Sequence, residues 1–66
     1  MVITINGKSE TVQAVTLVDL LSAKQIEPQM VAVEVNDVMI ERNRLGSISL
    51  KDGDRVEFLF YMGGGQ

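Results

Sequence analysis

The fold is decided near the end of the chain, where residues 51–65 read Lys51-Asp52-Gly53-Asp54-Arg55-Val56-Glu57-Phe58-Leu59-Phe60-Tyr61-Met62-Gly63-Gly64-Gly65. The Asp-Gly-Asp segment is typical of a tight turn. The most apolar stretch of the sequence follows it, and this stretch predicts a strand from Arg55 to about Met62. Glycine in a strand interior packs nothing and loses more backbone entropy than other residues. The glycines therefore predict a flexible tail over residues 63–66, after a folded domain over residues 1–62.

Segments upstream of this strand alternate with a period of two, as half-buried strands do. Residues 1–6 predict a first strand, Asn6-Gly7 a two-residue hairpin turn, and the segment from Lys8 to about Gln13 a second strand. Residues 31–36 predict a third, central strand. After a turn at Asn36-Asp37, residues 38–40 predict a short edge strand.

One helix is predicted between the second and third strands. Thr16 is a candidate N-cap, and Asp19 occupies the third position of a capping-box-like pattern. The loop after the helix contains Pro28, whose ring cannot continue an α-helix. The apolar residues at helical spacing, which we expect to face the core, are Leu17, Leu20 and Leu21.

The order of elements is a hairpin, a helix and three further strands. This order predicts an α+β fold with ββαββ order, in which one helix covers a mixed sheet of four to five strands and the first and last strands form a central parallel pair. That is the β-grasp layout of ubiquitin-like proteins. Residues 41–47 are polar and predict irregular structure, and the bottom of the core is assigned to Leu45, Ile48 and Leu50.

Composition excludes several classes of function. The chain has no histidine and no cysteine, so Ser/His/Asp and Cys/His catalytic arrangements are absent, and the protein is not expected to be an enzyme. The net charge of −3 argues against nucleic-acid or anionic-membrane binding and favours a partner with a basic docking face. No window approaches the ~20 apolar residues of a membrane span, and residues 1–4 lack the pattern of a signal peptide. We therefore expect a cytoplasmic monomer.

Three segments carry a resemblance to a known family. The ending at residues 51–65, the start Ile3-Thr4-Ile5-Asn6-Gly7-Lys8 and the segment Val31-Ala32-Val33-Glu34-Val35-Asn36 resemble the ThiS family, the sulfur-carrier proteins of thiamin biosynthesis. The resemblance covers essentially the whole chain. The combination of an Asp-Gly-Asp turn, an apolar strand and terminal glycines at a fixed distance is its most specific part.

The resemblance implies a carrier that holds no cofactor of its own. In the family, an adenylyltransferase of the ubiquitin-activating type uses ATP to adenylate the carboxylate of the terminal glycine. Sulfur, usually supplied by a cysteine desulfurase as a persulfide, then displaces AMP and leaves a thiocarboxylate. Thiazole synthase uses that sulfur to build the thiazole ring. Carried onto this chain, Gly65 is the activated residue, and Gly63 and Gly64 thread into the partner's active site.

Gln66 departs from the family pattern, in which the chain ends on the glycine. With Gln66 attached, the carboxyl group of Gly65 is locked in a peptide bond and cannot be adenylated. A protease could remove Gln66, Gln66 could be a remnant of a truncated or engineered chain, or the protein could be a non-conjugating relative. We favour the first two explanations together and expect Gly65 to be activated.

Two further groups of residues are candidate sites. If Val56, Phe58 and Phe60 point inward, then Leu59, Tyr61 and Met62 face outward beside the tail and form a candidate docking surface for a partner. Asp52 and Asp54 lie in a turn between the basic residues Lys51 and Arg55, so a turn is favoured over a metal site. A solvated face and a basic partner explain equally well the acidic residues Glu34, Asp37 and Glu41.

Two alternative functions stay open at this point. The chain could carry sulfur for cysteine, homocysteine or molybdopterin synthesis, with Gln66 removed by a protease. It could instead be a β-grasp interaction module that binds partners and transfers nothing.

Overall fold

A computed structural model describes residues 1–61 of the chain, and the predictions for Met62 and for residues 63–66 lie outside the described residues. The strands are β1 (Val2–Ile5), β2 (Lys8–Thr11), β3 (Val31–Val35), β4 (Val38–Ile40) and β5 (Arg55–Phe60). The α-helix α1 spans Leu17–Ala23, and 3₁₀ helices span Pro28–Met30 and Arg42–Ser47.

The five strands form one mixed sheet in the order β2-β1-β5-β3-β4. β1 pairs antiparallel with β2 and parallel with β5, while β3 pairs antiparallel with both β5 and β4. The predicted α+β fold, with its parallel first and last strands, is therefore confirmed. β5 occupies the centre of the sheet, whereas β3, which we predicted to be central, is the interior strand between β5 and β4.

Helix α1 begins at the predicted residue for the predicted reason. The Thr16 hydroxyl accepts a hydrogen bond from the Asp19 N–H at 3.1 Å, and the Asp19 carboxylate accepts one from the Thr16 N–H at 3.1 Å. This capping box satisfies N–H groups that the first turn of a helix leaves without partners.

The core lies between α1 and one face of the sheet. Within the described residues, its fully buried side chains, which are 2% exposed or less, come from the helix, from three strands and from the second 3₁₀ helix: Ile3, Leu17, Leu20, Leu21, Val33, Leu45 and Val56. Burying one such aliphatic side chain stabilises a fold by about 1.5–3 kcal/mol. The described residues include no buried polar side chain, so this core is wholly apolar.

Three predicted boundaries or conformations are wrong. β2 ends at Thr11 rather than Gln13, because its partner β1 begins at Val2, which is paired with Thr11. The last strand ends at Phe60 rather than near Met62, because β3 begins at the residue paired with Phe60. Residues 42–47 form a 3₁₀ helix instead of irregular structure, with the Arg44 N–H donating to the Glu41 C=O at 2.8 Å.

Phe60 lies on the predicted side of the sheet, but it is not buried there. Val56 and Phe58 are 1% and 5% exposed, as predicted, but Phe60 is 53% exposed. Phe60 shares their side of the sheet by alternation, yet β1 reaches only as far as Val56 in its pairing with β5. Phe60 therefore has a neighbouring strand on one side only, and that neighbour is β3.

Candidate functional site

The carboxyl end of β5 holds the part of the predicted site that the structure describes. Leu59 and Tyr61 are 47% and 51% exposed, as alternation along the strand predicted. Tyr61 follows the strand directly and remains attached to the sheet, because its N–H donates to the Met30 C=O at 3.1 Å. The sheet therefore holds the chain as far as the residue that lies two positions before Gly63 in the sequence.

An exposed apolar cluster surrounds this end of the strand. Met30, Leu59, Phe60 and Tyr61, here called the C-terminal apolar cluster, are between 45% and 53% exposed. The ring of Phe60 packs edge-on against the buried ring of Phe58, with 6.4 Å between centroids and 67° between planes. Contiguous exposed apolar residues of this kind are typical of interaction surfaces. The sequence predicted Leu59 and Tyr61 for this surface and missed Met30 and Phe60.

A shallow groove borders the cluster where the antiparallel strand β4 ends short of the first residues of β3. Tyr61 lines it together with Val31, Met39 and Arg42, and the groove has a volume of about 320 Å³. β4 pairs only with residues 33–35 of β3, so the first two residues of β3 have no strand on this side. Tyr61 thus lies between an open sheet edge and the end of the central strand.

Two asparagines in turns form side-chain hydrogen bonds with the backbone of β5, Asn36 at its first residue and Asn6 nearer its carboxyl end. The Oδ1 atom of Asn6 accepts a hydrogen bond from the Phe58 N–H at 2.8 Å, and its Nδ2 atom donates to the Phe58 C=O at 3.3 Å. The Oδ1 atom of Asn36 accepts from the Arg55 N–H at 2.9 Å. Both asparagines have positive φ, 48° and 50°, a conformation that asparagine adopts more readily than most residues. The sequence indicated turns at both positions but not these side-chain contacts.

Asp52 and Asp54 organise the turn before β5. Asp52 Oδ1 accepts a hydrogen bond from the Val2 N–H at 2.7 Å, and Asp54 Oδ2 accepts one from the Lys51 N–H at 2.8 Å. Among residues 1–61, no group of three potential ligands is close enough to hold a metal ion. The geometry supports the interpretation of residues 51–54 as a turn.

Acidic residues flank the site on the face of the sheet opposite the helix. Glu34 on β3 lies directly opposite Glu57 on β5. Asp37 is occupied by a bidentate contact with Arg55, in which the two nitrogen–oxygen distances are 3.0 Å and 3.3 Å. Hydrogen bonding to the Arg55 guanidinium and its positive charge lower the pKa of the Asp37 carboxyl, and the same contact raises the pKa of Arg55. On β3 and β5, Glu34 is half-buried and Glu57 is exposed, and the hydrogen bonds of the Arg55 guanidinium go to Asp37.

No helix among residues 1–61 has the length and apolar character that crossing a membrane requires.

Comparison with known proteins places this arrangement in a defined class. In a crystal structure, a thiamine biosynthesis protein (ThiS) from Geobacter metallireducens is 42% identical and superposes with a TM-score of 0.84, with 98% of this chain and 100% of that chain covered. A solution structure of a thiamine biosynthesis protein from the same organism gives a TM-score of 0.82 at 41% identity, covering 100% of this chain and 90% of the other. The molecule is thus a β-grasp protein of the sulfur-carrier type.

Sequence comparison identifies the family. The model of the ThiS family matches residues 2–65, and the chain belongs to the ThiS family. The sulfur carrier protein ThiS of Bacillus subtilis is 38% identical over 50 residues, which cover 76% of each chain. The protein is therefore a sulfur carrier of thiamin biosynthesis rather than an enzyme.

One longer relative is a thiazole synthase. The thiazole synthase of Magnetococcus marinus is 36% identical over 67 residues, and the match covers 100% of this chain. It spans only 21% of that thiazole synthase.

Proposed function

We propose that this protein carries sulfur as a thiocarboxylate on Gly65 and delivers it for formation of the thiazole ring of thiamin. The observation that carries this proposal is the match to the ThiS family, which extends to Gly65 and leaves out Gln66. The C-terminal apolar cluster supports it, because these exposed apolar residues end at Tyr61, two positions before the glycines in the sequence. Gly63 and Gly64 are proposed to thread into the active sites of the partners.

The chemistry requires activation, because a carboxylate is a poor electrophile. An adenylyltransferase of the ubiquitin-activating type transfers AMP from ATP to the Gly65 carboxylate and releases pyrophosphate. The terminal sulfur of a persulfide, supplied by a cysteine desulfurase, attacks the carbonyl carbon and expels AMP to give an acyl disulfide. A second thiol then forms a disulfide with the donor and releases the thiocarboxylate. ATP belongs to the partner, and the carrier itself needs no bound cofactor.

The proposed receiver of the sulfur is thiazole synthase. The match to a segment of the Magnetococcus marinus thiazole synthase supports this pairing, because a domain similar to this chain makes up part of that longer protein. The docking surface proposed for both partners comprises Leu59 and Tyr61, together with Met62 beyond the described residues. The half-buried Glu34, the exposed Glu57 beside it and the net charge of −3 favour a basic face on the partner.

Mass spectrometry tests the chemical step. The chain ending on Gly65 is incubated with the adenylyltransferase, ATP, magnesium, the cysteine desulfurase and cysteine, and its mass is expected to rise by one oxygen-to-sulfur exchange. The chain ending on Gln66 is expected to keep its mass until a processing protease removes that residue. Conversion of the Gln66 form with its last residue in place would overturn the assignment of Gly65.

The Gly65→Ala variant tests the requirement for a bare glycine. An added methyl group displaces the carbonyl within the partner's site, and misplacement of a reacting group by about 1 Å costs roughly a hundredfold in rate. The matched control is Gly46→Ala, since a Cβ at Gly46 would meet only the Val18 Cγ2 atom, at an ordinary 3.7 Å. Equal rates for the two variants would favour an interaction module that transfers nothing.

A further inference from the structure

The side chain of Asn6 takes the place of a backbone residue in the sheet. The main-chain N–H of Asn6 donates to the Val56 C=O at 3.0 Å, which continues the parallel pairing of β1 with β5. Its side-chain amide then bonds to both the N–H and the C=O of Phe58, at 2.8 Å and 3.3 Å. Three hydrogen bonds therefore join this single residue to two alternate residues of β5.

The Asn6 side chain replaces a backbone peptide group at the point where the backbone of β1 leaves the sheet. β1 ends at Ile5, and the chain reverses through Asn6 and Gly7, whose φ angles are 48° and 84°, to enter β2. No β1 residue remains at the next position of the ladder, beside Phe58. A primary amide presents one donor and one acceptor in a single plane, as a peptide group does, so the Asn6 side chain can supply the missing pair.

This contact determines the position along β5 up to which the strand has hydrogen-bond partners on both sides. On its other side β5 stays paired with β3 up to Phe60, and Tyr61 bonds to Met30. Without the Asn6 amide, β5 would be held by β3 alone after Val56 rather than after Phe58. Resting on the proposed carrier function, we propose that Asn6 is a positioning residue for the carrier tail, because it fixes the end of the strand that precedes residues 62–65 in the sequence.

Asn36 offers a matched control within the same molecule. It also occupies a hairpin turn at positive φ, and its side chain also bonds to β5, but at the first residue of the strand, Arg55. Glycine accepts positive φ without strain. Asn6→Gly removes two side-chain hydrogen bonds, both to Phe58, and Asn36→Gly also removes two, to Arg55 and Asp54, while each variant keeps the turn. Only Asn6→Gly acts near the carboxyl end of β5.

Hydrogen exchange on the full chain tests the structural half of the proposal. In Asn6→Gly, the Phe58 amide is expected to exchange roughly five- to tenfold faster, the effect of losing one typical hydrogen bond. The Arg55 amide should be unchanged in that variant. Asn36→Gly should give the reverse pattern. An unchanged Phe58 amide in Asn6→Gly would overturn the proposal.

Titration of the full chain with the adenylyltransferase tests the functional half. A loosened strand end must be ordered on binding, so the Kd of Asn6→Gly is expected to rise roughly three- to tenfold. The Kd of Asn36→Gly should stay within about twofold of that of the unmodified chain, even if its thermal stability falls as much as that of Asn6→Gly. Equal losses of affinity in the two variants, or no loss in Asn6→Gly, would reduce Asn6 to a structural role. Failure of the unmodified chain to bind would count against the carrier function itself, and hydrogen exchange would still decide whether Asn6 fixes the strand.

Discussion

The two faces of the sheet are built from alternate residues of the same strands, yet they differ in almost every property. The face covered by α1 holds Ile3, Val33, Val56 and Phe58, which are 6% exposed or less. On the opposite face, Glu34 lies against Glu57 and Ala32 against Leu59, in the same two strands. Like charges directly opposite each other on a sheet are destabilising. The covered face therefore provides stability, and the open face is the one that we propose for recognition.

Phe60 does not fit this division between a buried face and an open face. It lies on the covered side of β5 by alternation, two residues after Phe58, but it is about half exposed. The contrast arises because the sheet has lost β1 on one flank at that position. The carboxyl end of β5 is thus apolar and accessible on both faces, next to the sequence that carries the glycines.

The largest expected effect separates these two phenylalanines. Phe58→Ala should lower the free energy of unfolding by about 3–5 kcal/mol, since a large buried ring leaves a cavity. Phe60→Ala should lower it by less than about 1 kcal/mol, as is usual for an exposed site. Urea denaturation measures both values. If Phe58→Ala leaves no folded protein, Phe58→Leu should give a measurable loss of roughly 1–2 kcal/mol. Similar losses for alanine at the two positions would contradict the assignment of burial.

A smaller effect, on binding alone, is expected on the open face. Tyr61→Ala should weaken binding to the adenylyltransferase about tenfold or more, because aromatic residues with a polar end are frequent interface hot spots. Its free energy of unfolding should change by less than about 0.5 kcal/mol.

The control for this variant is Val15→Ala. Val15 is 62% exposed, but it lies just before the helix rather than at the end of β5. Isothermal titration calorimetry compares the two variants. Equal affinities would place the docking surface elsewhere on the molecule.

The smallest expected effect concerns the ion pair between Asp37 and Arg55. Contact with Arg55 lowers the pKa of Asp37 below its ordinary value of 3.8 in the folded state. A carboxyl with a depressed folded-state pKa contributes stability above its unfolded-state pKa and loses it as the pH falls through the folded-state value. The pair should therefore stabilise the fold slightly at neutral pH, and this contribution should decline as the pH falls below about 3.8 and through the lower folded-state pKa.

Thermal denaturation of Asp37→Asn as a function of pH measures this contribution. The variant should be slightly less stable than the unmodified chain at neutral pH, and the two should converge in acid. A difference that grows as the pH falls would contradict the sign of the coupling.

Much of the fold could be predicted because its signals are local. The capping box at Thr16 and Asp19, the turn at Asn6-Gly7 and the alternation over Val31–Val35 each depend on residues within a few positions of one another. The same applies to the candidate site, since Leu59 and Tyr61 were placed outward by counting along one strand. What alternation could not predict was the loss of cover at Phe60, because that depends on where a neighbouring strand stops.

The sequence by itself determined the elements, their order and the family, because turn residues, helix caps and the glycine ending act through near neighbours. Only the tertiary structure decided that β1 reaches no further than Val56 along β5, that Met30 and Phe60 join the surface around Tyr61, and that Asn6 bonds to Phe58, 52 residues away. Those features depend on strand register. Register is set by the packing of the whole sheet against its helix, and no single segment contains it.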